Sequence, residues 1–503
     1  KLQGRLKNLQ KIANKYAHHI AKFAVIKGTD KEDWFDIERL PNGNTMVVGH
    51  RIKKGKKDNI FHQKTYSKTT TKEIWIYGLD DNDTFTVFGN GKDLIKIRLI
   101  GGQNKDTYNI KNGKKVTFYD YKTKKNNVLT SKGVQKLSDR YTTNVYDYKK
   151  LKYSAFTMVP IIGFNPDDGI KTGLTNTYTS YGFERNPFTA QHTLAASYYF
   201  ATKGYELNYS GEFSNVWKRW NLLINTQFTS PNYAINFFGF GNNTQNLNAT
   251  DEENYDEDYN RVKIQFFKTA ASFIWRGELD ANFKVGVNYE ANKVDKTPGR
   301  FISSTPQILS TVFATQRFIG TEAAYNFVHN NNNAFSTLGI QTDIQVGYKA
   351  NLNNSNRFGY LISSLGFTHK LMASGQLVLA TKLKSQLNFG NGYEFYQAAS
   401  IGGKNGLRGY RNQRFTGKSS WYQNTDLRLN LRKLKTGLLP LHIGIYSGFD
   451  YGKVWDNNSI SDHWNTSFGG GIFLNAADML NANIAVFKGT ESARISFSLG
   501  FNF

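Results

Sequence analysis

The sequence predicts an all-β chain: a transmembrane antiparallel β-barrel of about sixteen strands behind a small β-rich domain that starts with a helix. Three observations predict it. From about Tyr153 onward, apolar and polar residues alternate in segment after segment, the period of a strand with lipid on one face and water on the other. Aromatics make up 15% of the residues while Pro numbers only 8 and mean hydropathy is −0.53, which suits many amphipathic strands and not helical spans. No stretch approaches the roughly 18 apolar residues that a membrane helix needs.

Taken in order, residues 1–25 read as an amphipathic helix, with Leu2, Leu6, Leu9, Ile12, Tyr16, Ile20 and Phe23 at spacings of three and four. They carry no secretory signal pattern, so a targeting peptide is expected to have been removed or to lie upstream. From Asp33 to about Tyr148 the pattern changes to short strands with Asn-Gly turns at Asn42-Gly43, Asn90-Gly91 and Asn112-Gly113, a β-rich domain expected in the periplasm. The helix and this domain make up residues 1–150, and residues 151–503 make up the barrel.

Inside the first domain, the stretch from Ile74 to Phe85 is echoed 23 residues later by the stretch from Ile97 to Tyr108. Both copies look like the Gly-Gly-x-Gly-x-Asp turn that binds calcium between the coils of a β-roll, which makes Asp80, Asp81, Asp83 and Asp106 weak calcium candidates beside the reading of plain hydrogen-bonded turns. No other cofactor is expected. His18 and His19 lack neighbouring carboxylates in a metal-binding pattern, and the absence of Cys removes disulfides and thiolate sites together.

Of the formal charge of +25, roughly +17 falls in residues 1–150, where 32 Lys and Arg stand against 15 Asp and Glu. A solvated Lys-rich surface and a face held against anionic lipid headgroups are both open readings. Nucleic acid is not expected as a partner, since no binding motif accompanies the charge.

Within the barrel, Leu279, Ala281, Phe283, Val285, Val287 and Tyr289 share one face of a strand; Leu338, Ile340, Thr342, Ile344, Val346 and Tyr348 share another. In Asp426 to Arg432, Leu427, Leu429 and Leu431 oppose Asp426, Arg428, Asn430 and Arg432, a charged face unfit for a sandwich core and natural in a wet lumen. Polar stretches at His329 to Asn333 and at Asp251 to Asp258 read as extracellular loops. Ile495, Phe497, Leu499, Phe501 and Phe503 alternate up to an aromatic C-terminus, as a final barrel strand does.

The stretch Gly402-Gly403-Lys404-Asn405-Gly406-Leu407-Arg408-Gly409-Tyr410, with Arg411 and Arg414 after it, resembles the Arg-Gly-Phe/Tyr loop of the BamA/TamA-type superfamily of outer-membrane assembly and two-partner secretion barrels, also called surface antigen barrels. That resemblance implies a loop folded back inside the barrel, with Arg408 on acidic side chains of the wall. Asp426, in Asn424-Thr425-Asp426-Leu427-Arg428, and Asp450, in Phe449-Asp450-Tyr451-Gly452-Lys453-Val454-Trp455, stand where the family has its acids. It implies a weakly paired seam between first and last strands, to which Pro160 is assigned because it cannot donate to a ladder; a bulge elsewhere is the other reading of Pro160.

Residues 1–150 depart from the family's usual transport modules and look more like a branch in which a calcineurin-type metallophosphoesterase precedes the barrel, although its catalytic motifs are absent from this sequence. The expectation is a Gram-negative outer-membrane barrel, not itself an enzyme, that inserts or exports proteins without ATP. Its partners would be outer-membrane lipids, client proteins, and periplasmic or surface lipoprotein subunits. The alternative is an anchor and conduit for an upstream phosphoesterase, or a lipid-handling factor. An ordinary solute porin is disfavoured, since a lumen loop obstructs flow.

Overall fold

The computed structural model describes residues 2–92, 94–246, 256–277, 279–332, 336–435, 440–456, 462–476 and 480–500. The chain divides into two compact units, residues 1–152 and 153–503.

The first unit opens with a helix, Leu2–Ile20, shorter than the expected 1–25 because Phe23–Lys27 is already a strand. The strands that follow form a two-sheet parallel roll. The chain crosses from one sheet to the other and back, so that Phe23–Lys27, Glu73–Leu79, Lys96–Gly102, Val116–Asp120 and Val134–Leu137 stack in parallel on one side. Asp33–Arg39, Thr84–Gly89, Thr107–Ile110 and Asn127–Ser131 stack on the other. The 23-residue echo is one coil of this roll: Ile74 lies beside Ile97, Ile76 beside Leu99, and Phe85 beside Tyr108. Apolar residues from both sheets, among them Ile74, Ile76, Leu99, Phe35 and Phe118, fill the interior, and Phe35, Phe85 and Tyr108 stack face to face along it.

Among the three Asn-Gly pairs, only Asn42-Gly43 closes an antiparallel hairpin, between Asp33–Arg39 and Thr45–Lys53. The other two connect strands of different sheets, because in a parallel stack a turn must carry the chain across the roll.

A file of aspartates runs up the roll where the coils turn. The backbone N–H of Asp33 donates to Asp83 Oδ1 (2.8 Å), that of Asp83 to Asp106 Oδ1 (2.8 Å), and that of Asp106 to Asn126 Oδ1 (3.0 Å). Glycine is required opposite these carboxylates: a Cβ on Gly78 would stand 2.0 Å from Asp83 Oδ2, and one on Gly101 2.2 Å from Asp106 Oδ2. The four acids named as calcium candidates are thus divided. Asp83 and Asp106 are buried in the file, whereas Asp80 is exposed and takes a hydrogen bond from Asn104 Nδ2 (2.7 Å), and Asp81 takes one from the N–H of Asn82 (3.1 Å). Among the described residues, no group of three or more His, Asp or Glu is arranged to hold a metal ion.

Burial, then the neighbouring Asp106, pushes the Asp83 carboxyl up to about 9; burial, then Asp120, pushes Asp106 up to about 8.

The second unit is a closed barrel of sixteen long antiparallel strands among the described residues. They are Ala155–Asn165, Gly169–Ser180, Ala190–Tyr199, Gly204–Trp217, Trp220–Thr229, Arg261–Arg276, Asn282–Val294, Gln316–Asn330, Leu338–Asn351, Arg357–Lys370, Leu377–Phe389, Ser419–Lys435, Pro440–Trp455, Asn465–Ala476, Leu480–Lys488 and Ala493–Gly500. A short extra strand, Ala234–Asn236, pairs with the sixth of these.

Alternation sorts the two faces. Leu338, Ile340, Ile344, Val346 and Tyr348 are 43–50% exposed on the outside. On the inside Gln345 donates to Glu322 (2.6 Å) and Ser364 to Asp343 (3.0 Å). An apolar exterior round a polar lumen is the arrangement a bilayer selects. Among the described residues no helix is long and apolar enough to cross a membrane.

The structure corrects two readings in the barrel. Leu279 is not on the strand face: with φ of 55° and Asp280 at 59°, it forms the left-handed turn that reverses the chain before Asn282. Ala281 lies between that turn and the strand. The segment His329 to Asn333 does not share a rim with the acidic loop. The acidic loop follows the fifth strand and this one follows the eighth, and connections of opposite parity in an up-and-down barrel emerge at opposite ends. Asn333, residues 251–255 of the acidic loop, and Phe501 and Phe503 lie outside the described residues, as does the side chain of Arg432.

Candidate functional site: the lumen loop and the strand seam

The connection between the eleventh and twelfth strands, residues 390–418, belongs to the same rim as the acidic loop. It is a small hairpin in its own right, with Ala399–Ile401 paired to Phe415–Gly417, and its tip carries the Gly402 to Tyr410 motif. Gly402, Gly403 and Gly406 have φ of 133°, 51° and 116°, left-handed values that let the tip fold tightly. Leu407 and Tyr410 are buried with Ile401, Phe415, Tyr422 and Val454, so an apolar cluster seats the tip against the wall.

Arg408 is clamped. Its backbone N–H donates to Asp450 Oδ2 (3.0 Å), its Nε to Asp450 Oδ1 (3.0 Å) and its Nη2 to the same oxygen (2.6 Å), and Nη2 lies 2.8 Å from Asp426 Oδ1. Asp450 is fully buried and also accepts from Asn424 Nδ2 (2.7 Å) and Ser467 Oγ (2.8 Å). Asp426 is held in turn by Arg428 (3.0 Å), and the Arg408 guanidinium lies over the Phe487 ring at 3.9 Å. Gly448 leaves the room for this: a Cβ there would stand 2.6 Å from Arg408 Nη2.

Three further attachments, two of them through Arg411 and Arg414 and the third through the motif residues Gly409 and Tyr410, lie on either side of the first and last strands. Arg411 Nε donates to Asp167 Oδ1 (2.7 Å) and the N–H of Asn412 to Asp167 Oδ2 (2.8 Å). Arg494, on the last strand, approaches that second oxygen at 2.9 Å. Asp167 sits in the turn directly after the first strand, so one buried carboxylate joins the loop, the first strand's turn and the last strand. Arg414 Nε donates to Glu491 (2.6 Å) in the turn before the last strand, and its other nitrogens bond Thr244. Gly409 packs against the backbone of Lys488 and Gly489, where a Cβ would stand 2.4 Å from Gly489 N, and the Tyr410 hydroxyl meets Thr490 Oγ1 at 3.1 Å. The signal available in the sequence was the run of arginines, Arg408, Arg411 and Arg414, at intervals of three in one loop.

Neighbouring long strands elsewhere in the barrel share between eight and sixteen paired residues, and the short strand Ala234–Asn236 shares three with its neighbour. Among the described residues, first and last share three: Ile162 with Leu499, Gly163 with Ser498, and Phe164 with Phe497. Pro160 lies two residues before this stretch and Ile495 two residues before the end of it on the other strand.

A lumen cavity of about 620 Å³ lies against the clamp, with Arg408, Asp426, Arg428, Tyr446, Lys382 and Arg494 on its wall. On the loop side an apolar cluster that includes Phe237, Ile302, Val312 and Phe395 ties three different connections together.

This closed barrel, apolar outside and polar within, with a loop clamped inside it, is an outer-membrane β-barrel of the Gram-negative kind. Residues 300–474 match the model of the family described as haemolysin secretion/activation protein ShlB/FhaC/HecB. Among solved structures, the chain is similar to BamA from Haemophilus ducreyi lacking POTRA domains 1-3, at 14% identity over 70% of this chain and 71% of that one, with a TM-score of 0.50. It is also similar to CdiB from Escherichia coli (9% identity, 69% and 63% covered, TM-score 0.47) and CdiB from Acinetobacter baumannii (12%, 70% and 60%, 0.46). No curated protein matches the sequence. The family match lies within the barrel, and the likeness to the first of these structures is one of fold. These likenesses do not bear on the metallophosphoesterase branch.

Proposed function

We propose that this barrel inserts client proteins into the outer membrane, or exports them across it, without ATP or a cofactor, by opening its seam and receiving client strands through backbone pairing. The observation that supports the reading is the loop's attachment on both sides of the junction between first and last strands, through Asp167, which Arg411 and Arg494 share, and through Glu491. Opening that junction would uncover unpaired N–H and C=O groups, and an incoming strand would satisfy them.

The lumen loop acts as the closure. Through Asp167 and Glu491 it grips both sides of the seam, while the Arg408 clamp fixes it to the wall. The first unit works in the periplasm in this reading, and lipoprotein subunits join at either surface. The test is quantitative proteomics of purified outer membranes early after depletion. A fall in β-barrels or surface-exposed proteins with transcripts unchanged is the expected result and names the clients. An unchanged inventory overturns the reading in favour of an enzyme anchor or lipid-handling factor.

A further inference from the structure

The N-terminal helix is left over by everything above. Leu6, Leu9, Ile12, Tyr16 and Ile20 are 44–72% exposed, and by the 100° step of a helix they fall on one stripe. Lys7, Lys11 and Lys15 fall on the opposite side, and the helix contains no Asp or Glu. Among the described residues these five side chains are exposed, and five large apolar side chains on one stripe of a helix call for a cover.

Charge decides what the cover is. Residues 1–150 carry about +17, so the roll, of this copy or of a second one, offers the helix no net counter-charge. An anionic bilayer surface offers both an apolar layer for the stripe and negative headgroups for the lysines, and this chain is already seated in a bilayer. We infer that the helix Leu2–Ile20 lies in the interface of an anionic phospholipid surface, with Leu6, Leu9, Ile12, Tyr16 and Ile20 inserted and Lys7, Lys11 and Lys15 facing the headgroups. The helix thereby tethers the basic first unit to the membrane that holds the barrel. This inference stands on the outer-membrane location and not on what the barrel transports.

The chain has no Cys, so single labels are clean. An environment-sensitive fluorophore is placed at Ile12→Cys, and separately at Lys11→Cys, in the full chain reconstituted into phosphatidylcholine vesicles with or without phosphatidylglycerol. Expected is a blue shift and quenching by doxyl-labelled lipid at position 12 but not 11, appearing with phosphatidylglycerol. Replacing Lys7, Lys11 and Lys15 by Gln should weaken the partition on the order of a hundredfold, and salt should do the same. A label at position 12 that stays in water with phosphatidylglycerol present overturns the inference. So does one equally shielded in detergent without lipid, which would mean that a protein surface covers the helix.

Discussion

Both units bury aspartates, and Asp83 and Asp106 of the roll are neutralised by other means than Asp450 and Asp167 of the barrel, whereas Asp33 of the roll has Arg51 at 2.6 Å. In the barrel Asp450 meets a guanidinium with N–H and O–H donors, and Asp167 meets two guanidinium groups and a backbone N–H, so their charge is matched where it stands. In the roll, Asp83 and Asp106 meet no cation among the described residues; each accepts one backbone N–H, and Asp106 shares a hydrogen bond with the Asp120 carboxyl. There the proton is the neutraliser. The same residue type is therefore an anchor for a charged loop in one place and a nearly neutral rung between coils in the other, and the difference is whether an arginine is within reach.

The largest effect expected from that contrast is at Arg408. Arg408→Ala leaves Asp450 buried without its cation, a loss of about 3 to 5 kcal/mol for the loop's attachment, and should abolish complementation of a null strain and open the loop to protease. Arg408→Lys should restore little, because an ammonium cannot match the two-pronged contact on Asp450. Wild-type growth and wild-type barrel stability in Arg408→Ala would break the comparison.

Next comes Asp167→Asn, which removes the charge shared by Arg411 and Arg494. About 1 to 3 kcal/mol is expected, seen as faster proteolysis of residues 402–417 with the strands intact.

The roll should respond in the other direction. Folded Asp83 and Asp106 keep protons up to about pH 9 and 8, whereas unfolded carboxyls lose them near 4. The folded state thus binds more protons across that interval, and the roll is most stable at its acid end and loses stability as pH rises to 8 or 9. Hydrogen exchange over residues 73–120, corrected for intrinsic rate, reads this directly. Asp83→Asn should flatten the dependence at little cost at neutral pH, where Arg408→Ala is severe. The smallest effect is Thr490→Ala, about 1 kcal/mol from one hydrogen bond to Tyr410, measured by the melting of the loop.

The barrel was legible because lipid imposes a period of two on every strand, so Leu338 to Tyr348 declare their outward face without any tertiary knowledge. The clamp was legible through a resemblance: Asp426 and Asp450 were named from their motifs, and the structure puts both on Arg408. The roll was not read as parallel. A short apolar strand followed by Asn-Gly suits a hairpin as well as a coil, and the 23-residue echo was read for its turn chemistry, not as the stacking distance. Arg411 and Arg414 escaped for another reason. Their partners Asp167 and Glu491 lie 244 and 77 residues away in turns with no pattern of their own, and only barrel closure brings them together.

The most direct test of the account is to lock the seam. Gly163 and Ser498 face each other across it, a Cβ at Gly163 meets nothing closer than 3.5 Å, and the chain has no other Cys. With Gly163→Cys and Ser498→Cys, oxidation should stop client insertion or export and reduction should restore it, with the barrel folded throughout. Full activity in the completely cross-linked protein would contradict the account.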